Sequence, residues 1–208
     1  MSAPVPPSAA ALPSPSIQPS RYLDRFVRTT VGARLAKSRV FPNAKEVTES
    51  YAARAAALRF RAEFPPADPH ILLIAVADGS TPRTAATFAL HTAWECHSVD
   101  PRLRSSRRWA EIPRLTLHPQ RIETCRFSAP RAVVVAVHSH VSLASSLASV
   151  FAEDLLVIAM PCCLPIDLNE PVDLSFDDAH VLSARRTIHV WSLPHGRPCA
   201  SETVGADT

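Results

Sequence analysis

Apolar residues along this chain fall into two patterns, helical stripes and short unbroken runs. The first stripe is Tyr22, Leu23, Phe26 and Val27, with Ser20 placed before it as an N-cap. A second occupies 43–61, where Val47, Tyr51, Ala55 and Leu58 recur at helical spacing in an Ala-rich background, and Pro65, Pro66 and Pro69 stop it. Next comes the unbroken run Ile71-Leu72-Leu73-Ile74-Ala75-Val76, which has the length of a strand. Asp78-Gly79 makes a turn. Thr81 as N-cap and Pro82 at the first helical position then open a helix that turns Ala85, Ala86, Phe88 and Ala89 inward. The run from Trp94 to Val99 ends at Asp100-Pro101, which completes a strand–helix–strand unit.

The alternation continues. Arg114 to Leu117 reads as a weak third strand and Ala132 to Val137 as a strong fourth, whose continuous apolarity fits a parallel strand covered on both sides. A helix capped by Ser142 is expected to carry Leu143, Leu147, Val150 and Phe151 on one face. Leu155 to Met160 is a fifth strand. An acidic, Pro-containing loop leads to a last strand, Thr187 to Leu193. The expected fold is α/β: a doubly wound, mostly parallel, Rossmann-like sheet of about six or seven strands with helices on both faces.

Composition refines the boundaries. The chain has 208 residues, 47% hydrophobic and 20% charged, which suits one core-forming domain rather than a wholly disordered chain. Six of the 20 prolines lie in residues 1–19, a Pro/Ser/Ala-rich lead with no means of packing. A basic helical arm over 20–41, a domain over 42–195 and a flexible tail over 196–208 follow. No apolar run is long enough for a membrane span, and no secretory pattern opens the chain. Five cysteines without a C-x-x-C pair read as reduced thiols, so an intracellular setting, cytoplasmic or mitochondrial, is expected.

Charge is unevenly placed. Residues 1–41 hold six basic side chains and one acidic one, while 132–184 hold seven acids and neither Lys nor Arg. Arg21, Arg25 and Arg28 on the first helix fit a solvated face, a mitochondrial targeting helix or an arm that touches RNA phosphates. Arg102, Arg104, Arg107 and Arg108, with Trp109 beside them, fit either a solvated loop or phosphate contact with base stacking.

Ligands of such sheets sit outside the carboxyl ends of the strands. The first strand leaves through Ala75-Val76-Ala77-Asp78-Gly79, and Asp100 stands at the tip of the second. In this segment the chain resembles the class I S-adenosylmethionine-dependent methyltransferases, whose first motif is a Gly-rich loop after a strand. Aligned on Asp78-Gly79, Ala75 and Ala77 stand where that family has glycines. Asp100 matches its ribose-binding acid, since a carboxylate accepts two hydrogen bonds from a cis-diol. The resemblance covers roughly 43–193 and implies S-adenosylmethionine as cofactor, with Ala75, Ala77, Asp78, Gly79 and Asp100 at its site. The chain has only four glycines where about 15 are average, and alanine at two motif positions restricts the loop. A degenerate fold serving as a structural or RNA-binding subunit of a larger mitochondrial or viral assembly is therefore the alternative.

The fourth strand ends in Val137-His138-Ser139-His140, without the motif that family members acting on amino nitrogens carry there. His138 is the candidate general base, because an imidazole titrates near neutrality. The fifth ends in Met160-Pro161-Cys162-Cys163, similar to a subgroup of RNA methyltransferase-like proteins, to whose helix before the first strand Lys45-Glu46-Val47 is also similar. That similarity points to RNA as substrate. Neighbouring strand tips bring His138, His140, Cys162 and Cys163 into one region. Two His and two Cys could bind zinc tetrahedrally, but successive strand residues point to opposite faces, so no metal is expected there.

Overall fold

The computed structural model describes residues 20–163 and 166–194. The Pro-rich lead and the expected tail, with Cys199, lie outside the described residues. The architecture is mixed α/β. Seven strands form one sheet: β1 (Ile71–Val76), β2 (Glu95–Val99), β3 (Leu115–His118), β4 (Phe127–Val137), β5 (Val150–Met160), β6 (Leu174–Asp177) and β7 (Thr187–Pro194). Their order is β3-β2-β1-β4-β5-β7-β6. Strands β1 to β5 pair in parallel, and β7 is antiparallel to both β5 and β6.

The unbroken apolar runs are explained by two cores. Ile71, Leu73 and Ala75 join Val133, Val135 and Val137 and Leu156, Ile158 and Met160 on one face of the sheet. Leu72, Ile74 and Val76 face the other way, with Val134 and Val157. The first face is covered by α1 (Arg21–Arg28), α2 (Thr30–Ser38), α3 (Ala44–Ala57) and α4 (Arg83–His91), and by Trp109 of the short α5 (Arg107–Ala110). The second is covered by the short α6 (Leu143–Leu147) and a 3₁₀ turn at Ile122–Thr124. The helical layer is thus heavy on one side and thin on the other.

Residues 20–41 form two helices that pack on this domain. Tyr22, Leu35 and Val40 are buried, and Phe26 meets Tyr51 of α3 edge-on at 6.2 Å. The Ser20 hydroxyl donates to the His180 carbonyl at 2.6 Å rather than capping α1. Val27, read as part of the apolar stripe, is 74% exposed.

Three other local expectations are corrected. Thr81 does not cap α4, since its hydroxyl donates to the Val40 carbonyl. Asp78 takes that role, accepting from the backbone N–H of Thr84 (2.9 Å) and Ala85 (3.1 Å). The helix after Ser142 stops at Leu147, and Val150 and Phe151 open β5 opposite Phe127 and Ser128. Their apolarity falls in helical phase with Leu143 by coincidence, while β-branched and aromatic residues suit the strand. Lastly, β4 begins at Phe127, before Pro130. Pairing of β4 with β1 starts only at Arg131, so the missing proline N–H lies outside that ladder.

Candidate functional site

The order of the strands reverses between β1 and β4, with β2 and β3 on one side and β5 on the other. That is where open α/β sheets place their ligands. A cavity of about 460 Å³ lies there, lined by Val76 and Ala77 after β1, Val99 and Asp100 after β2, and His138 and His140 after β4. Arg83, Arg102, Arg121 and Glu123 supply its charged walls. This volume lies in the range typical of small-molecule sites.

Of the residues expected to form a cofactor site, Ala77 and Asp100 line the cavity, and Ala75, Asp78 and Gly79 do not. Ala75 points into the core under the helices. Asp78 is turned inward as the cap of α4 and also accepts from the Ser98 hydroxyl at 2.9 Å. Burial pushes its carboxyl above the usual range, opposed by nearby Arg83 and by these hydrogen bonds. Gly79 has φ +85°, and a β-carbon there would lie 2.5 Å from a terminal nitrogen of Arg83. Its N–H is given to Asp100 Oδ2 at 2.9 Å.

Asp100 is 2% exposed and also accepts from the Arg102 N–H at 2.7 Å through Oδ1. The Arg102 guanidinium also lies 3.6 Å from Oδ1. A carboxylate has about four lone-pair positions, so Oδ2, which accepts only from Gly79, retains capacity for one more donor. Ala77 adopts φ +53° without being glycine, and His138 adopts φ +49°. Both left-handed residues sit at strand tips that border the cavity, a placement typical of functional sites.

His138 is held by a partner that the pattern of the sequence did not single out. Its Nε2 lies 2.7 Å from Glu49 Oε1, on the buried side of α3. Glu49 also receives the Ser183 hydroxyl and, at 2.9 Å, the Lys45 ammonium. Burial alone would raise the Glu49 carboxyl. The hydrogen bonds from His138, Ser183 and Lys45 outweigh it and hold the group down at about 2. Nε2 faces the carboxylate, and Nδ1 is buried without a partner. The sequence did hold a signal: Glu49 precedes Ala52, Ala53 and Ala56 by 3, 4 and 7 residues, on a face that is buried throughout. A carboxylate on such a face requires partners.

Arg83 is a second unread residue. Its Nε pairs with Glu46 Oε2 at 2.5 Å, and its guanidinium lies across Gly79 at the cavity wall. Trp109, by contrast, is unavailable for base stacking. It is 6% exposed and donates from Nε1 to the Ser38 carbonyl at 3.0 Å. The seven arginines named for RNA contact, Arg21, Arg25, Arg28, Arg102, Arg104, Arg107 and Arg108, are all exposed. Arg21 is also paired with Asp178 at 3.2 Å.

No protein-family model matches the chain, and no curated protein matches it. Among the described residues, no helix is long and apolar enough to cross a membrane.

Proposed function

We propose that the protein is a divergent S-adenosylmethionine-dependent methyltransferase, acting on RNA, on a doubly wound Rossmann-like sheet. The observation that carries this reading is the cavity at the β1/β4 reversal, with Asp100 on one wall and Arg83 on another. A ligand bearing a cis-diol and an α-carboxylate finds a partner for each: a spare lone pair on Asp100 Oδ2 and a guanidinium fork on Arg83. Bound there, S-adenosylmethionine would supply an electrophilic methyl group. The chain's own work is to position the acceptor beside His138, the candidate base, which borders the cavity. Glu49 orients the ring and stabilises the imidazolium, as a carboxylate behind a catalytic histidine does.

A specific observation favours the alternative, a site that has lost its cofactor. Arg83 covers Gly79, and the Gly79 N–H is already used by Asp100. In that reading Arg83 fills the space that the ligand would need.

Calorimetric titration with S-adenosylmethionine separates the two. Saturable binding is expected, weakened at least ~10-fold in Asp100→Asn and also in Arg83→Gln, because each loses a charged contact worth about 1.5–3 kcal/mol. No heat at millimolar ligand overturns the enzyme reading. Binding that strengthens in Arg83→Gln shows that this side chain blocks the site.

A further inference from the structure

Val137 and Met160 are register partners at the ends of β4 and β5, and the His138 N–H donates to the Met160 carbonyl at 2.8 Å. The two chains therefore leave the sheet side by side. Three residues past Val137 is His140; two and three past Met160 are Cys162 and Cys163. His140 Nδ1 lies 3.2 Å from Cys163 Sγ, and the two sulfurs are 3.3 Å apart. All three donor atoms lie within 4.8 Å of one another. Alternation of side chains along a strand argued against adjacent cysteines sharing a ligand. It does not apply here, because β5 ends at Met160 and both cysteines lie in the bend beyond it.

We infer that His140, Cys162 and Cys163 form a binding site for a thiophilic divalent cation of the zinc class, with three protein ligands and a fourth position open. Metal–sulfur bonds of about 2.3 Å and metal–nitrogen bonds of about 2.0–2.1 Å at tetrahedral angles place donors roughly 3.6–3.8 Å apart. The two short separations here need to widen by only a few tenths of an ångström. Two thiolates and an imidazole are the donor set that selects a soft or borderline d¹⁰ ion over magnesium or calcium. Cys163 and His140 are exposed and Cys162 half-buried, so an ion has an entry path and its fourth ligand comes from outside this trio. His140 also lines the main cavity, which puts the ion at its rim.

The test uses the full chain, reduced and stripped of metal, titrated with zinc against a chromophoric chelator and then with cobalt(II). One equivalent is expected to bind with a dissociation constant below micromolar. The cobalt form should show thiolate-to-metal charge transfer in the near ultraviolet. Cys162→Ser with Cys163→Ser, and separately His140→Ala, should weaken zinc at least ~10-fold and remove or diminish that band. Since His140 and Cys163 are exposed and Cys162→Ser is close to isosteric, the metal-free variants should melt with the metal-free wild type, which keeps loss of a ligand distinct from loss of the fold. Failure to bind zinc under reducing conditions overturns the inference, as does an unchanged affinity in the double cysteine variant. Neither result depends on the methyltransferase reading, since no S-adenosylmethionine is present.

Discussion

His91 shows how much a single buried imidazole can say about conditions. It ends α4, contacts Tyr51 edge-on at 5.3 Å and uses Nδ1 on the Thr87 carbonyl at 2.8 Å. Burial first, then the positive charge of Arg54, depress its pKa to about 4. In the unfolded chain the ring takes its proton near the ordinary histidine value of about 6.5. The unfolded state thus binds more protons in this window, and stability is lost as pH falls from about 6.5 towards 4. The ring is partly solvated, so the loss is on the order of 2 kcal/mol rather than the full amount of the shift. Urea unfolding at pH 7 and pH 4.5 should show this difference in the wild type and a smaller one in His91→Gln. An unchanged difference would assign the pH dependence to other groups, among them His97, His118 and His189, whose pKa values burial also lowers. At this scale the sequence was partly legible. It pointed to Asp100 and His138, which both border the cavity. It did not reveal that Ala77 would accept a left-handed backbone, because such a conformation costs an alanine about 1–2 kcal/mol and is imposed by the surrounding fold. Nor did it join Glu49 to His138, since 89 residues separate the two and only the packing of α3 on the sheet brings them together.

Among the elements, α4 depends most on one side chain outside it. Pro82 stands at its N-cap without a capping group, and the first turn is satisfied by Asp78 from the end of β1. A cap that reaches forward six and seven residues also fixes the loop between strand and helix. Asp78→Ala removes both acceptors and leaves two buried N–H groups and the Ser98 hydroxyl without this partner. The expected loss is about 2–4 kcal/mol, a helix cap plus an unsatisfied buried donor. Asp78→Asn retains one acceptor oxygen and should lose roughly half as much. Denaturant melts of both variants check the order, and equal losses would mean that the charge, not the hydrogen bonding, matters. Legibility followed burial. Strands covered on both faces announced themselves as apolar runs. β6 did not, because it is a four-residue edge strand whose Ser175 and Asp177 alternate with Leu174 and Phe176, and charged residues on a short edge look like loop. The start of β5 was hidden for the opposite reason, since Val150 and Phe151 fit a helical stripe equally well.

Over the whole molecule, the fold rearranges the charges that the sequence separates. Lys37 and Arg39 lie at the end of α2, far in sequence from Arg107 and Arg108 on α5. The hydrogen bond from Trp109 to Ser38 brings these elements together. The loop between β2 and α5 continues the basic surface through Arg104, whose N–H donates to the Ser80 carbonyl, to Arg102 at the wall of the cavity. Exposed cations therefore lie on α2, on α5 and in the loop that leads to the cavity lined by Asp100 and His138. Trp109, which sequence order suggested as a stacking platform, is instead the rivet that assembles this band. If RNA reaches the cavity along it, the phosphates release counterions, and affinity falls with salt by about 0.7 log unit per log unit of salt for each contact with a single strand. Replacing Lys37, Arg39, Arg107 and Arg108 with Gln should lower that slope by roughly 3 if all four touch phosphate. Replacing Arg21, Arg25 and Arg28 on α1 should lower it less, since Arg21 is engaged by Asp178. Fluorescence anisotropy with a labelled single-stranded RNA across a salt series measures both sets. Equal slopes in wild type and the four-residue variant would remove the band from any RNA path, and a larger effect from the α1 set would move that path to the first helix.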